Sequence, residues 1–372
     1  MFNRVILYYS SDAPMKGTAE YSVNSRTVRD VFWLEKAENG VFSLLIRDAL
    51  TGNTAEDFRL LSLCSADGRE GSGKIHEIRT DLAGLPEESW IVKNGIRLGI
   101  TLEMGGAIAS LCDSGAPEGY TNLLNRYDPG RLVQQSYYGI GKAPYEIGEF
   151  MGNPWPYNPV QGGDRGGNRS RIIDYTRTET EITIKAQPYD WGHDGSITPS
   201  YMENRYSFLD DGLILVENRF TDFSGYSHPV KHQELPAFYV VSALDIFTWE
   251  DAGVRTSRDD LIFWPLAMEQ HFLLKEPDSA FCIWHDKNGY GVGLAMPGAE
   301  MFYSGRHEHN GSKDPYDNGT SYTAPLRALK LRSYQPLSYQ YILAVGSVES
   351  IAQRFRETLP QIDNSSLSSY GV

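Results

Sequence analysis

Residues 201–223 read YMENRYSFLDDGLILVENRFTDF, two runs of alternating apolar and polar residues that meet at Asp211-Gly212. An Asp-Gly pair between two such runs is a strong signal for a tight antiparallel hairpin. Alternation divides the side chains of the second run between two faces, Ile214/Val216/Asn218/Phe220 and Leu213/Leu215/Glu217/Arg219. Both faces are partly apolar, as in a strand that is packed between layers. The hairpin therefore predicts a sandwich of stacked sheets.

The composition of the whole chain favours the same fold class. The 372 residues are 41% hydrophobic and include 36 Gly, 19 Pro and 23 Tyr, which is typical of many short strands joined by turns. Residues 280–296 predict another hairpin, with its turn at Asn288-Gly289. One helix is predicted, from the N-cap Ser347 to about Leu359, where Pro360 stops it. We therefore expect an all-β protein with a single C-terminal helix.

The strand-like runs fall into two units. Residues 1–88 contain six short runs separated by turns, which predicts a small N-terminal β-sandwich with an accessory or packing role. The segment AGLPEES marks a boundary by its turn residues and charges. Residues 89–360 are expected to form a second, larger domain, and residues 361–372 a frayed tail.

Charge and cysteine usage limit the partners that this chain can have. The net charge is −14 and no basic tract is present, so nucleic acid and anionic membranes are poor partners. The three cysteines are far apart, which predicts free buried thiols in a reducing compartment. The N-terminus does not resemble a signal peptide, so we expect a cytoplasmic protein. No dinucleotide or P-loop motif is present and no cofactor is predicted, while the oligomeric state is left open.

The segment 122–164 collects the chemistry expected of a saccharide site. It combines aromatic residues, amides, arginines and carboxylates on turns rich in Gly and Pro. Aromatic rings can stack on the C–H surface of a sugar, while amides, Arg and Asp bind its hydroxyls. The predicted substrate-binding residues, two of them just after this segment, are Arg131, Gln135, Tyr138, Trp155, Tyr157, Asn158, Gln161, Trp191 and His193. If LVQQSYYG is a strand, Arg131, Gln135 and Tyr137 share one face.

Three segments resemble the galactose mutarotase-like superfamily of carbohydrate-active proteins. They are EMGGAIASLCDSG followed by TNLLN, then DPGRLVQQ, and later GYGVGLAMP with TSYTAPL. The resemblance implies an antiparallel sandwich that binds saccharides, with Arg131 and Gln135 at positions where the family holds the sugar. The His-x-Tyr-Phe-Asn motif of the epimerases is missing, and HQELPAFY (residues 232–239) stands in its place. The resemblance therefore does not imply simple mutarotase activity.

Four residues are predicted to carry the chemistry, namely Glu234, Asp164, His232 and Tyr137. His232 and Glu234 are two residues apart at the start of an apolar run, where desolvation raises the pKa of a carboxyl group. Asp164 follows two glycines and could complete a carboxylate pair with Glu234. The structural alternatives are a buried hydrogen-bonding role for the 232–234 pair and an Asx turn at Asp164. His307 and His309 are too few for a metal site, and none is predicted.

Three functional classes follow from these residues. A glycoside hydrolase acting on an oligo- or polysaccharide, with Asp164 and Glu234 as its carboxylates, is the first. A polysaccharide lyase would instead use Tyr137 or Tyr138 with a His, and Arg131 would neutralise a uronate. An aldose epimerase or a non-catalytic sugar-binding protein is the third. The scarcity of positive charge favours the hydrolase over the lyase.

Overall fold

Antiparallel strands dominate the chain, and the predicted all-β class with one C-terminal helix is confirmed. The computed structural model describes residues 1–251, 253–261, 263–264, 272–275 and 281–371. The first six strands are β1 (Arg4–Ser11), β2 (Met15–Val23), β3 (Arg26–Leu34), β4 (Ala37–Leu45), β5 (Ala55–Ser65) and β6 (Gly73–Asp81). They form two three-stranded sheets, β4-β1-β6 and β3-β2-β5, which make up a small N-terminal sandwich.

The remaining strands build a larger two-sheet sandwich. They are β7 (Glu88–Lys93), β8 (Ile96–Thr101), β9 (Ala107–Asp113), β10 (Val133–Ser136), β11 (Gly148–Phe150), β12 (Asn153–Trp155), β13 (Pro159–Val160), β14 (Arg171–Arg177), β15 (Glu181–Gln187), β16 (Tyr189–Asp190), β17 (Ser200–Phe208), β18 (Ile214–Asp222), β19 (Ser227–Val241), β20 (Ile246–Asp251), β21 (Val254–Arg258), β22 (Phe263–Trp264), β23 (Phe272–Lys275), β24 (Phe281–His285), β25 (Tyr290–Ala295), β26 (Met301–His307), β27 (Thr320–Arg332) and β28 (Leu337–Ser347). The hairpin predicted in residues 201–223 is β17–β18.

Each large sheet has one continuous strand order. Sheet A runs β22-β26-β27-β19-β10-β9-β8-β7, with β13, β16 and β23 attached to it. Sheet B runs β14-β15-β17-β18-β28-β25-β24-β20-β21. Strands β11 and β12 form a separate two-stranded hairpin.

The main core lies between sheets A and B, as the two-faced pattern of β18 predicted. Ile214, Val216 and Phe220 of sheet B are buried in it with Phe238 and Val240 of sheet A. Such stacking removes apolar area from water on both sheets, which is the main force that holds a sandwich together. The opposite surface of sheet A carries a separate apolar cluster around Tyr322 and Ala237, and we call this surface the outer face of sheet A.

The outer face of sheet B is covered at both ends. The helix α1 (Val348–Thr358) packs on β24 and β25, and its Phe355 ring lies 5.4 Å from that of Phe281. The Ser347 side chain accepts a hydrogen bond from the Ser350 backbone N–H, so the predicted N-cap is confirmed. At the other end, the N-terminal sandwich packs against β14–β18, where the Tyr201 hydroxyl accepts a hydrogen bond from the Trp33 backbone N–H.

Two details differ from the sequence predictions. The tail is not frayed, because residues 365–370 form a 3-10 helix that buries Leu367 and Tyr370 against the core. Cys282 is buried as predicted, but Cys64 is exposed because its side chain points away from the core of the N-terminal sandwich. Among the residues that the structure describes, no helix is long and apolar enough to cross a membrane.

Candidate active site

A bulge in β19 decides which side chains reach the outer face of sheet A. Glu234 pairs with Leu326 of β27 and Phe238 pairs with Thr323, so four steps along β19 match three along β27. One extra residue in a strand reverses the alternation beyond it. Glu234 and Tyr239, five residues apart, therefore both point to the outer face. Without the bulge they would lie on opposite faces.

Glu234 is half-buried on this outer face and is held by two phenols. The hydroxyls of Tyr138 and Tyr322 donate hydrogen bonds to its Oε1, at 3.0 and 2.8 Å. Burial raises the pKa of Glu234 above 4.5, although the hydrogen bonds from Tyr322 and Tyr138 favour the ionised form. The raised pKa makes the protonated carboxyl group available at a higher pH than in solution, which suits a general acid.

Tyrosine rings and one histidine extend the site across β19, β26 and β27. The rings of Tyr239 and Tyr322 lie 4.5 Å apart, and the Tyr303 ring lies 6.1 Å from that of Tyr322. The His307 ring lies 5.9 Å from Tyr322 and 6.2 Å from Tyr239. Burial and the charge of Glu234 raise the pKa of Tyr322 well above 10.0, so its hydroxyl acts as a hydrogen-bond donor rather than as a phenolate.

Arg131 lies at the other end of this aromatic surface. Its guanidinium stands over the Tyr239 ring, 5.5 Å from the ring centroid, and donates hydrogen bonds to the side chain and backbone of Asn318 at 3.1 and 3.3 Å. The Asp128 carboxylate is 3.8 Å from Arg131 and accepts the backbone N–H groups of Gly130 and Arg131. Arg131 therefore lies in a small set of polar groups that can bind hydroxyls or an anion.

A second line of aromatic rings leads away from Tyr138. Its ring lies 6.1 Å from Trp155, which is 5.0 Å from Phe150, and Phe150 is 5.7 Å from Trp191. The Trp191 ring is packed against the backbone of Gly130, next to Arg131. The contacts thus form a closed circuit around the outer face of β10. We call the part of this circuit formed by Glu234, Tyr138, Arg131, Tyr239 and Tyr322 the Glu234 cleft, and the rings of Trp155, Phe150 and Trp191 lie beside it.

Two predicted residues, one in β10 and one directly after it, lie in the core instead of the cleft. Tyr137 is fully buried, its ring 4.2 Å from Phe220, and its hydroxyl donates to Gln135. Gln135 in turn donates to the backbone carbonyl of Glu203 in sheet B. Their shared face was predicted, but Arg131 does not share it, because Leu132 adopts a left-handed conformation with φ 79°. Tyr137 is therefore a core residue, which corrects its predicted catalytic role.

Asp164 is fully buried in its own loop and does not belong to the circuit of contacts around Glu234. Its fully buried carboxylate accepts hydrogen bonds from the backbone and side chain of Asn168, at 2.9 and 2.8 Å, and from the backbone of Gly195 at 2.6 Å. These donors enclose the carboxylate within its own loop. The Asx-turn alternative therefore describes Asp164 better than the catalytic one.

Other predicted residues support the site from behind. Asn158 accepts a hydrogen bond from the indole N–H of Trp155 and donates to the Tyr137 carbonyl, so it positions Trp155. Gln161 is buried and joins Gly105 to Asn204. The Tyr157 hydroxyl donates to Asp222 at 3.0 Å in the core. Gln161 and Tyr157 therefore do not line the cleft.

The two predicted histidines lie outside the circuit of contacts. His193 is hydrogen-bonded to the Glu146 carbonyl, and its ring packs against Tyr145. His232 is exposed, and it makes no hydrogen bond with Glu234 even though the two side chains are two residues apart on one strand. Neither His is therefore placed to exchange a proton with Glu234.

Sequence reasoning missed several residues in the cleft or next to it, namely Phe150, Tyr239, Tyr303, His307, Asn318 and Tyr322. Tyr322 belongs to TSYTAPL, which carried the resemblance, and its partner Glu234 is 88 residues away. Tyr239 stands in HQELPAFY, but the alternation counted from Glu234 puts it on the wrong face. Asn318 could be grouped with Asp128 and Arg131 only once the segment before β10 and the loop before β27 were brought together.

A separate groove lies at the junction of the two sandwiches. Arg4, Leu82, Tyr175, Arg177 and Glu179 are among its lining residues, and no residue of the Glu234 cleft lines it. Within the described ranges, no three His, Cys, Asp or Glu side chains come together in an arrangement that could hold a metal ion. The Glu234 cleft is the candidate active site because it combines a carboxyl group of raised pKa with aromatic rings and the Arg131 guanidinium.

No family model and no curated protein matches this chain. Among solved structures, the chain is similar to a galactose mutarotase related enzyme from Lactobacillus acidophilus (13% identity, TM-score 0.43, covering 70% of this chain and 97% of that one). A galactose mutarotase-like protein from Lactobacillus casei matches at 12% identity and TM-score 0.41, over 70% of this chain and 99% of that one. The 4-alpha-glucanotransferase from Thermococcus litoralis matches at 14% identity and TM-score 0.34, over 69% of this chain but only 36% of that one.

Proposed function

We propose that this protein is a carbohydrate-active enzyme and that it hydrolyses a glycosidic bond in the Glu234 cleft. The observation that carries the proposal is the state of Glu234, a half-buried carboxyl group whose pKa is raised by burial and whose Oε1 accepts two phenol hydroxyls. Because Oε1 accepts both hydrogen bonds, a proton carried by Oε2 can be transferred to a substrate. Aromatic rings and polar donors around this carboxyl group suit the two kinds of surface of a sugar.

Hydrolysis also needs a group that activates water or attacks the sugar. Because Asp164 is enclosed in its loop, Asp128 takes the place that Asp164 held in the prediction. Its half-exposed side chain lies beside Arg131, and the charges of Glu234 and Asp128 both act on the Tyr239 phenol. Glu234 would protonate the glycosidic oxygen as the C–O bond breaks, and Asp128 would take a proton from the attacking water or attack the anomeric carbon itself.

The lyase is the second candidate, and the position of Arg131 favours it. Arg131 contacts Tyr239, and Tyr239 contacts His307. A cation therefore lies next to two side chains that can accept or donate a proton. In a lyase, Arg131 would neutralise a uronate carboxylate while a proton is removed from the neighbouring carbon. The ultraviolet absorbance of an unsaturated uronide would appear only with this reaction, whereas hydrolysis produces new reducing ends without it.

Glu234→Gln tests the proposal, because the amide keeps the shape and can still accept both phenol hydrogen bonds but cannot donate an acidic proton. Turnover is measured as reducing ends released from a panel of neutral and acidic polysaccharides and aryl glycosides. We expect turnover to fall by about a hundredfold or more, the scale of lost general acid catalysis, while sugar binding is retained.

Glu56→Gln, on the exposed edge of β5, serves as the control and is expected to keep full activity. Glu234 would be shown to have a structural role if Glu234→Gln kept normal turnover per folded molecule but melted at a much lower temperature. Loss of turnover in Asp128→Asn with normal sugar binding would support the proposed role of Asp128 as the second carboxylate.

A further inference from the structure

The hairpin β11–β12 places aromatic side chains beside the Glu234 cleft. Strands Gly148–Phe150 and Asn153–Trp155 pair through a two-residue turn, Met151-Gly152, in which both residues have positive φ. The turn is exposed, and so is most of the Met151 side chain. The rings of Phe150 and Trp155, together with Trp191, are half-buried. They therefore present aromatic surface to solvent from fixed positions, and we call these three rings the aromatic ledge.

Backbone contacts hold the ledge in place before any ligand binds. The Glu149 backbone N–H donates to the Gly192 carbonyl at 3.0 Å, which ties the hairpin to the segment that carries Trp191. A Cβ atom on Gly192 would lie 3.1 Å from the Trp155 side chain, and one on Gly130 would overlap the Trp191 ring. A side chain at position 130 would therefore displace the Trp191 ring, whereas one at position 192 would require a small shift of Trp155. The indole N–H of Trp155 is also fixed, because it donates to Asn158 at 2.9 Å.

The aromatic ledge starts close to Glu234 and extends away from it. Tyr138 contacts both Glu234 and Trp155, and successive ring centroids along the ledge are then 5.0 and 5.7 Å apart. A ligand that contacted only Glu234, Tyr322 and Arg131 would leave Phe150 and Trp191 uncovered. Preformed aromatic surface continuous with a site is suited to more ligand of the same kind, because rigid rings cost little entropy when they bind.

We infer that the aromatic ledge is a second sugar-binding subsite, so that the substrate is a neutral oligo- or polysaccharide that spans Glu234 and the ledge. This inference rests on the proposed sugar binding in the Glu234 cleft. We infer a neutral substrate from the charges of the protein. The rings of the ledge are uncharged, the Arg131 guanidinium already faces the Asp128 carboxylate, and the whole chain has a net charge of −14. An acidic polymer would be repelled by the protein as a whole.

The test compares the same variants on long and short substrates. Binding is measured as retardation in native gels that contain laminarin, galactomannan, arabinoxylan or soluble starch, and turnover is measured on these polymers and on the matching aryl monoglycosides. We expect Trp191→Ala to weaken polymer binding and kcat/KM by about tenfold, the scale of one lost aromatic contact. Its activity on the aryl monoglycoside is expected to stay within about twofold of wild type.

Trp90→Ala is the matched control. Trp90 is also half-buried and also packs on a glycine, Gly99, but it lies on β7 at the edge of sheet A, where Arg97 stacks on it. This variant should bind the polymer as the wild type does. Melting curves of both variants identify any loss of folding.

The outcomes separate the two proposals. Polymer retardation that is lost in Trp191→Ala and kept in Glu234→Gln supports the subsite even if no turnover is found, in which case the hydrolase proposal alone fails. Equal losses on polymer and monoglycoside, or no loss in Trp191→Ala, would overturn the subsite. Retardation of the wild type by none of the neutral polymers would overturn it as well.

Discussion

Glu234 illustrates how neighbouring side chains set the chemistry of one residue. Burial opposes the ionisation of its carboxyl group, and the two phenol hydrogen bonds only partly offset this effect. A carboxyl group that stays protonated to a higher pH can act as an acid, but its ionisation also destabilises the fold. The same environment therefore links the proposed function of Glu234 to the stability of the protein.

The first consequence is a pH-dependent cost in stability. The pKa of Glu234 is higher in the folded than in the unfolded chain. Glu234 therefore contributes to the free energy of unfolding below about pH 4.5, and this contribution is lost as the pH rises through the folded pKa. Glu234→Gln has no such ionisation. We therefore expect the free energy of unfolding of Glu234→Gln, relative to wild type, to increase as the pH is raised from 4.5, as measured by urea unfolding. A difference that stays constant with pH would contradict the raised pKa.

At the scale of elements, short irregular segments position the site more than the regular strands do. The bulge in β19 brings Glu234 and Tyr239 to one face, and the left-handed Leu132 separates Arg131 from the core side of β10. The loop that follows β13 owes its shape to Asp164, whose carboxylate ties Asn168 and Gly195 together. We therefore propose that this carboxylate supports the structure beside the cleft and takes no part in the chemistry.

Asp164→Ala distinguishes these two roles. Removing the carboxylate leaves buried N–H donors without acceptors, so we expect a loss of about 1–3 kcal/mol in the free energy of unfolding. Turnover per folded molecule should stay close to wild type. Asp194→Ala is the control, because its ion pair with Arg165 is exposed and is expected to contribute less than about 1 kcal/mol. A large loss of turnover in Asp164→Ala without loss of stability would restore Asp164 as a catalytic residue.

At the scale of the whole molecule, the N-terminal sandwich and the Glu234 cleft lie on opposite sides of the two-sheet core. The sandwich packs on sheet B, where Asp30 accepts hydrogen bonds from Arg171 of β14 at 2.7 and 2.6 Å and forms an ion pair with Arg47. Glu35 is bonded to Arg219 of β18. Residues 1–88 are therefore suited to a packing role, and we propose that they contribute no catalytic residue.

Asp30→Asn tests how strongly this junction is held. Burial opposes the ionisation of Asp30, but the charge and hydrogen bonds of Arg171 prevail and lower its pKa below 3.8. The variant leaves Arg171 buried without a counter-charge, so we expect urea unfolding at neutral pH to show a loss of about 3–5 kcal/mol. The wild type should lose stability as the pH falls through the lowered pKa of Asp30, and the variant should show no such loss at this position.

Glu20→Gln provides the comparison, because it removes a pair with the exposed Arg29 that is expected to contribute less than about 1 kcal/mol. Turnover of Asp30→Asn per folded molecule should equal that of wild type, since the junction lies away from the cleft. Equal stabilities of the two variants would show that the junction contributes little to folding.

The amino-acid sequence by itself determined the local structure of this protein. Alternation and turn residues predicted the β17–β18 hairpin, the sandwich class and the single helix, because each depends on neighbours within a few residues. Glu234 could be singled out in the same way, since a carboxyl group at the edge of an apolar run is desolvated wherever that run packs.

Only the tertiary structure decided which residues share the site. Tyr322 meets Glu234 across 88 residues of chain, and no local pattern encodes such a contact. One extra residue in β19 and one left-handed residue before β10 changed the faces on which Tyr239 and Arg131 lie. Side-chain direction in a strand alternates with every residue, so a single irregularity redirects everything beyond it. Alternation alone does not show where such an irregularity falls.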